Sequence, residues 1–159
     1  MDNLNDINVS ISRFEKMVKE NKVFFFDSVE FENIISYYLD TGKVAYAKKA
    51  LTISLSQHPS NTNLSLFQVE IFIQEEKLNY ALELINSILM IETNNFEAIV
   101  LKSSILSKQK KHTKSINLLK SIFNDYGNKT ELSYQIGIEY LFVENYSKSL
   151  LEKVVCTNP

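Results

Sequence analysis

Apolar residues recur along this chain at i, i+3, i+4 and i+7, the spacing of helices that bury one face. Ala47, Ala50, Leu51 and Ser54 share one such face; Leu78, Ala81, Leu82, Ile85, Ile88 and Leu89 share another. A small residue marks each segment: Ala47, Ala81, Ser115 and Ser149 follow one another at intervals of 34 residues. Similar text surrounds them, from Lys43-Val44-Ala45-Tyr46 through Lys77-Leu78-Asn79-Tyr80 and Lys111-His112-Thr113-Lys114 to Asn145-Tyr146-Ser147-Lys148. A small residue near the start of a helix lets two helix backbones approach closely. Each helix pair then carries two apolar faces and cannot bury both alone, so neighbours must stack. The register predicts first helices near 28–40, 62–75, 95–108 and 130–143, each followed by a second helix, the last near 146–155.

The first helix start is legible in detail. Asp27 followed three residues later by Glu30 is a capping box, and Phe26 and Phe31 flank it where a hydrophobic staple belongs. The aromatic run Phe24-Phe25-Phe26 is therefore expected to close the end of the array and not to meet a ligand. Before it, Ile11, Phe14 and Val18 share a face of a helix near 8–21. Arg13 stands where a repeat would need its small residue, so this helix is expected to be a cap.

The pattern resembles the tetratricopeptide repeat, a helix–turn–helix unit of 34 residues, over about 28–159. The fourth copy carries the resemblance best, with Ile136-Gly137, Tyr140, Tyr146 and Ser149 at the family's marked positions. The first copy has Ile34, Tyr38, Gly42 at the turn, Ala47 and a closing Pro59. No tryptophan occurs, Thr93 and Gly127 replace the closing proline in copies two and three, and Pro159 arrives two residues early. Bulky Ile35 takes a small-residue position in the first copy. The stretch from Phe26-Asp27-Ser28 through His58-Pro59 also looks like the opening of uncharacterised repeat proteins of Bacteroidetes-type bacteria. The resemblance implies an all-α fold, an α-α superhelix of about four helix-turn-helix repeats behind an N-terminal capping helix. It divides the chain into a cap and lead-in at 1–27 and repeats at 28–61, 62–95, 96–129 and an incomplete 130–159.

Composition narrows the function classes. Three Gly leave no phosphate-cradling glycine loop, and one cysteine, Cys156, permits neither an internal disulfide nor a Cys-based zinc site. His58 precedes Pro59 in one turn and His112 opens a helix two repeats on, so neither is expected to find metal-ligating neighbours. No nucleophile–base pair or cofactor fingerprint stands out; no enzymatic activity and no cofactor are expected. The net charge of −2 argues against a generally basic nucleic-acid-binding surface. Charge is unevenly spread, however. Residues 1–95 hold 13 acids and 8 bases, whereas 96–159 hold 6 acids and 9 bases. Much of the excess lies in Lys108-Gln109-Lys110-Lys111-His112-Thr113-Lys114, a turn that could meet phosphates and supplies the alternative reading of a nucleic-acid-associated repeat protein. That run lacks the interleaved aromatics on which bases stack. The acidic start, Met1-Asp2-Asn3-Leu4-Asn5-Asp6, is unlike a secretory signal, and a cytoplasmic protein with no membrane partner is expected.

By the resemblance, the first helices line a concave groove. Its residues would be Glu32, Ser36, Leu39 and Asp40; Leu66, Glu70, Ile73 and Gln74; Val100, Ser104, Ser107 and Lys108; and Tyr134, Ile138, Leu141 and Phe142. Chaperone-binding members of the family clamp a peptide carboxylate with cationic and amide groups, where this chain has Glu32 and Leu66. Such peptides are not expected as ligands. The groove runs from acidic to aromatic, which suits a basic-apolar protein segment and makes the chain a non-catalytic scaffold or adaptor. Leu150, Leu151, Val154 and Val155 near the C-terminus have no polar cap after them, so a longer array or self-association through that end is expected.

Overall fold

A computed structural model describes residues 2–156, with side chains described for 7–144. All regular structure among the described residues is helical: α1 Asp2–Glu20, α2 Ser28–Asp40, α3 Val44–Gln57, α4 Thr62–Gln74, α5 Leu78–Ile91, α6 Phe96–Lys108, α7 His112–Ser121 and α8 Lys129–Cys156. The chain divides into two compact units at Glu75/Glu76.

Helix starts follow the repeat. Asp27, Asn61 and Asn95, each 34 residues after the last, accept a hydrogen bond from the backbone N–H three residues on, as N-caps do. The capping box at Asp27 is complete, with the Glu30 N–H donating to Asp27 Oδ1 at 2.7 Å and the Asp27 N–H to Glu30 Oε2 at 3.1 Å. The turns repeat as well. Gly42, Glu76 and Lys110 all sit in the left-handed region, at φ of 69°, 57° and 61°. For a non-glycine residue that conformation costs about 1–2 kcal/mol. Within the pairs α2–α3 and α6–α7, the return helix packs back along its partner and offsets the cost.

In the first unit, α1 to α4 enclose a core of Ile11, Phe14, Met17, Phe26, Phe31, Ile34, Ile35, Tyr38, Ala47, Ala50, Leu51, Leu64 and Ile71. The lead-in is tied to the far end of α3. Gln57 Nε2 donates to the Phe24 carbonyl at 2.8 Å, its Oε1 accepts from the Phe26 N–H at 3.2 Å, and His58 Nε2 meets the Phe26 carbonyl at 2.8 Å. Arg13 lies over the Phe26 ring at 4.6 Å and donates to Glu30 Oε1 at 2.8 Å. Arg13 thus covers an aromatic face and reinforces the next helix start. Its own helix, α1, begins earlier than expected, at Asp2.

Tyr38 is fully buried in this core, and its hydroxyl donates to Glu15 Oε1 at 3.2 Å. Burial, and then the Glu15 charge and hydrogen bond, raise its phenol well above the ordinary tyrosine range. The fold therefore favours the neutral phenol. Its contribution is complete below about pH 10, where an unfolded tyrosine begins to ionise, and is lost as pH rises toward the folded value. Urea midpoints should fall above about pH 10, and less so in Tyr38→Phe. Equal alkaline losses in both proteins would show that Tyr38 does not couple folding to pH.

In the second unit, α5 packs on α6, α6 on α7 and α7 on α8. Ala81 and Ser115 are fully buried, as Ala47 is in the first unit; the Ser149 side chain lies outside those described. The fourth copy departs from the expected pair. Position 144, equivalent to Gly42, Glu76 and Lys110, is helical, and α8 runs unbroken for 28 residues. Continuing the helix avoids a left-handed Glu144, and Lys148-Ser149-Leu150-Leu151-Glu152-Lys153 contains no residue that would break it.

Candidate functional site

The second unit contains an open cleft of about 250 Å³ between α6 and α8, floored by α7. Val100, Ser103, Ser104 and Ser107 line it from α6, Leu119 from α7, and Gln135, Ile138 and Glu139 from α8. Four of these, Val100, Ser104, Ser107 and Ile138, are groove positions expected from the sequence. Tyr134 and Phe142 lie one helical turn before and after Ile138, and both are exposed, Tyr134 at 70%. Lys108 is exposed and paired with Glu76, Nζ to Oε1, at 2.6 Å. Lys111 donates to Gln109 at 2.7 Å, so two cations of the basic turn already have polar partners.

The other expected positions are differently placed. Leu66 and Ile73 are buried at 2% and 7% exposure, which leaves their side chains no face for a ligand. The reason lies in α4 itself, whose Leu64, Leu66, Val69, Ile71 and Ile73 are all buried. These positions fall on opposite sides of the helix, so α4 is packed from both. In the first unit, Asp40 is exposed, while Glu32 and Ser36 are half-buried. Glu32 accepts from Asn63 Nδ2 at 3.2 Å. Glu70 and Leu39 are half-buried and Gln74 is exposed; Leu141 is exposed on α8.

Sequence reasoning missed the cleft's histidine–carboxylate pair. His112 Nδ1 donates to Glu139 Oε2 at 2.7 Å, and the imidazole stacks on Phe142 at 5.0 Å and 18°. Both partners are largely buried, with Glu139 side-chain exposure only 8%. The repeat register held the signal. Positions 34 and 68 residues before Glu139 are the buried Ile105 and Ile71, and those before His112 are Leu78 and Val44. A carboxylate and an imidazole thus replace apolar residues only where the cleft opens. Beside them Ser103 Oγ and Ser115 Oγ share a hydrogen bond of 2.7 Å. The arrangement offers apolar walls, free hydroxyls on Ser104 and Ser107, and an inward carboxylate, which suits capture of a hydrogen-bond donor.

Among the described residues, no helix is long and apolar enough to cross a membrane. No protein-family model and no curated protein sequence matches the chain. Solved structures do. A structure of a MamA mutant shares 18% identity and a TM-score of 0.57, covering 92% of this chain and 86% of that one. A second, described as MamA AMB-1, shares 19% identity and a TM-score of 0.56, covering 92% of each chain. MamA is a helical-repeat protein of tetratricopeptide-repeat type. The likeness shows the fold: an all-α helical-repeat fold of the α-α superhelix class.

Proposed function

We propose that the protein is a non-catalytic scaffold that binds a protein or peptide through the α6–α8 cleft and the aromatic residues beside it. The observation that carries this reading is the convergence of Val100, Ser104 and Ile138 on one cleft flanked by exposed Tyr134 and Phe142. Aromatic side chains that lose water on contact concentrate binding energy, so they outweigh rim charges such as Lys108. The helical-repeat fold supports the reading, because stacked helix pairs present extended surfaces for partners. The acidic positions Glu32 and Asp40 on α2 are proposed as a separate contact for basic residues of the same partner. Leu66 and Ile73 take no part.

The test places a photo-crosslinking amino acid at Tyr134, at Ser104 and, as a control, at exposed Tyr80 on α5. In native cells the first two should capture the same protein and the control should not. Tyr134→Ala should then weaken that partner's binding at least tenfold, about 1.4 kcal/mol. Equal capture from all three positions, or undiminished binding by Tyr134→Ala, would remove the groove reading. Capture of nucleic acid that falls steeply with salt would instead favour the basic turn.

A further inference from the structure

We infer that the α6–α8 cleft is a socket for one basic side chain of the partner, arginine in preference to lysine, with Glu139 as its counter-charge. The inference rests on the groove reading above and names the group that the groove selects.

Glu139 is the central observation. Its carboxylate is more than nine-tenths buried, and only Oε2 has a hydrogen-bond partner among the described residues, the His112 Nδ1–H. Oε1 is left for whatever enters the cleft. No buried side-chain oxygen or nitrogen among the described residues lacks a hydrogen-bond partner, so Oε1 meets water in the open cleft, where an entering donor can replace that water. The position departs from the repeat, which places buried isoleucine at 71 and 105. The carboxylate therefore offers a counter-charge that the equivalent positions cannot.

The rest of the cleft fits a long cationic side chain. Val100, Leu119 and Ile138 supply apolar walls for a methylene stem, as basic side chains use when their heads find polar groups. Ser104, Ser107 and the Gln135 amide can accept further hydrogen bonds around the head. A guanidinium carries five donors in one plane and can serve the carboxylate and the hydroxyls together, whereas an ammonium presents a compact point charge. His112 fixes the carboxylate from one side, and Phe142, stacked on that imidazole, fixes His112. The basic turn's lysine on α6, Lys108, is paired with Glu76. The Glu139 carboxylate therefore remains the group that meets an inserted basic side chain, and a run of anions is disfavoured there.

The experiment is a titration of isotope-labelled full chain, followed by NMR, with four probes: N-acetyl-arginine N-methylamide, the corresponding lysine and norleucine compounds, and agmatine. The blocked arginine should saturate in the millimolar range, move the signals of Ser103, Ser104, Gln135 and Glu139, and bind at least tenfold better than the norleucine compound. Glu139→Gln keeps an acceptor for His112 and removes the charge; it should weaken the arginine probe at least tenfold. Ser104→Phe changes an exposed cleft residue and should block the socket even if Glu139→Gln fails to fold. No saturable shifts, equal binding of norleucine, or arginine binding that survives either folded variant would overturn the assignment. Agmatine binding tenfold tighter than the blocked arginine would overturn the peptide source in favour of a free amine. The crosslinked partner separates the two readings. If Tyr134→Ala weakens that partner and Glu139→Gln does not, the socket falls and the groove stands; if neither does, both fall.

Discussion

Phe14→Ala should lower unfolding free energy by about 3–5 kcal/mol, the largest loss expected from any truncation in the first unit. Phe14 has no exposed surface. Its ring meets Phe26 edge-on at 6.3 Å and Tyr38 at 5.9 Å, and Phe26 in turn meets Phe31 at 5.3 Å. Truncation therefore opens a cavity among aromatic rings fixed from two helices and the lead-in, where little can move to fill it. The control is Phe25→Ala. Phe25 is 68% exposed and touches only the edge of His58 at 5.5 Å among ring contacts, so its loss should fall within about 0.5 kcal/mol. Urea unfolding reads both. A large gap between the two variants supports the view that the rings packed around Phe14 seal this end of the first unit. Similar losses would mean that Phe14 is not the centre of that seal.

What the sequence revealed and what it hid follow from the range of the interactions involved. The 34-residue register was readable because close helix approach restricts residue size, and Ala47, Ala81 and Ser115 are indeed fully buried. The capping box at Asp27 was readable because both of its hydrogen bonds span three residues. Asn61 and Asn95 repeat that cap position and could have been read in the same way. The tie from Gln57 and His58 back to Phe24 and Phe26 was not readable, since a side chain bonding to backbone some 32 residues away leaves no local pattern. The placement of Leu66 and Ile73 in the groove followed the resemblance where apolar residues on two sides of α4 already argued for burial. Half of the cleft was named through the resemblance. Its carboxylate was missed because attention went to residues that match the repeat, whereas Glu139 and His112 matter by departing from it.

Ser115→Leu should cost about 2–6 kcal/mol, because two separate penalties fall on one site. Ser115 is fully buried at the approach of α7 to α6, so a leucine must displace packed neighbours, at about 1–3 kcal/mol. It also removes the partner of Ser103, whose hydroxyl lies 2.7 Å away and is itself buried; an unpaired buried hydroxyl costs about 1–3 kcal/mol more. Ser115→Ala separates the two. Alanine is the residue at the equivalent positions 47 and 81, so it should pack without strain and cost only what the orphaned Ser103 hydroxyl costs, about 1–3 kcal/mol. Adding Ser103→Ala removes the orphaned hydroxyl and should restore much of that loss, giving a coupling energy of about 0.5–1.5 kcal/mol in the cycle. If the leucine variant unfolds at the same urea concentration as the wild type, the close approach at Ser115 is wrong. If the double alanine variant is worse than the sum of its parts, the two serines do more than satisfy each other.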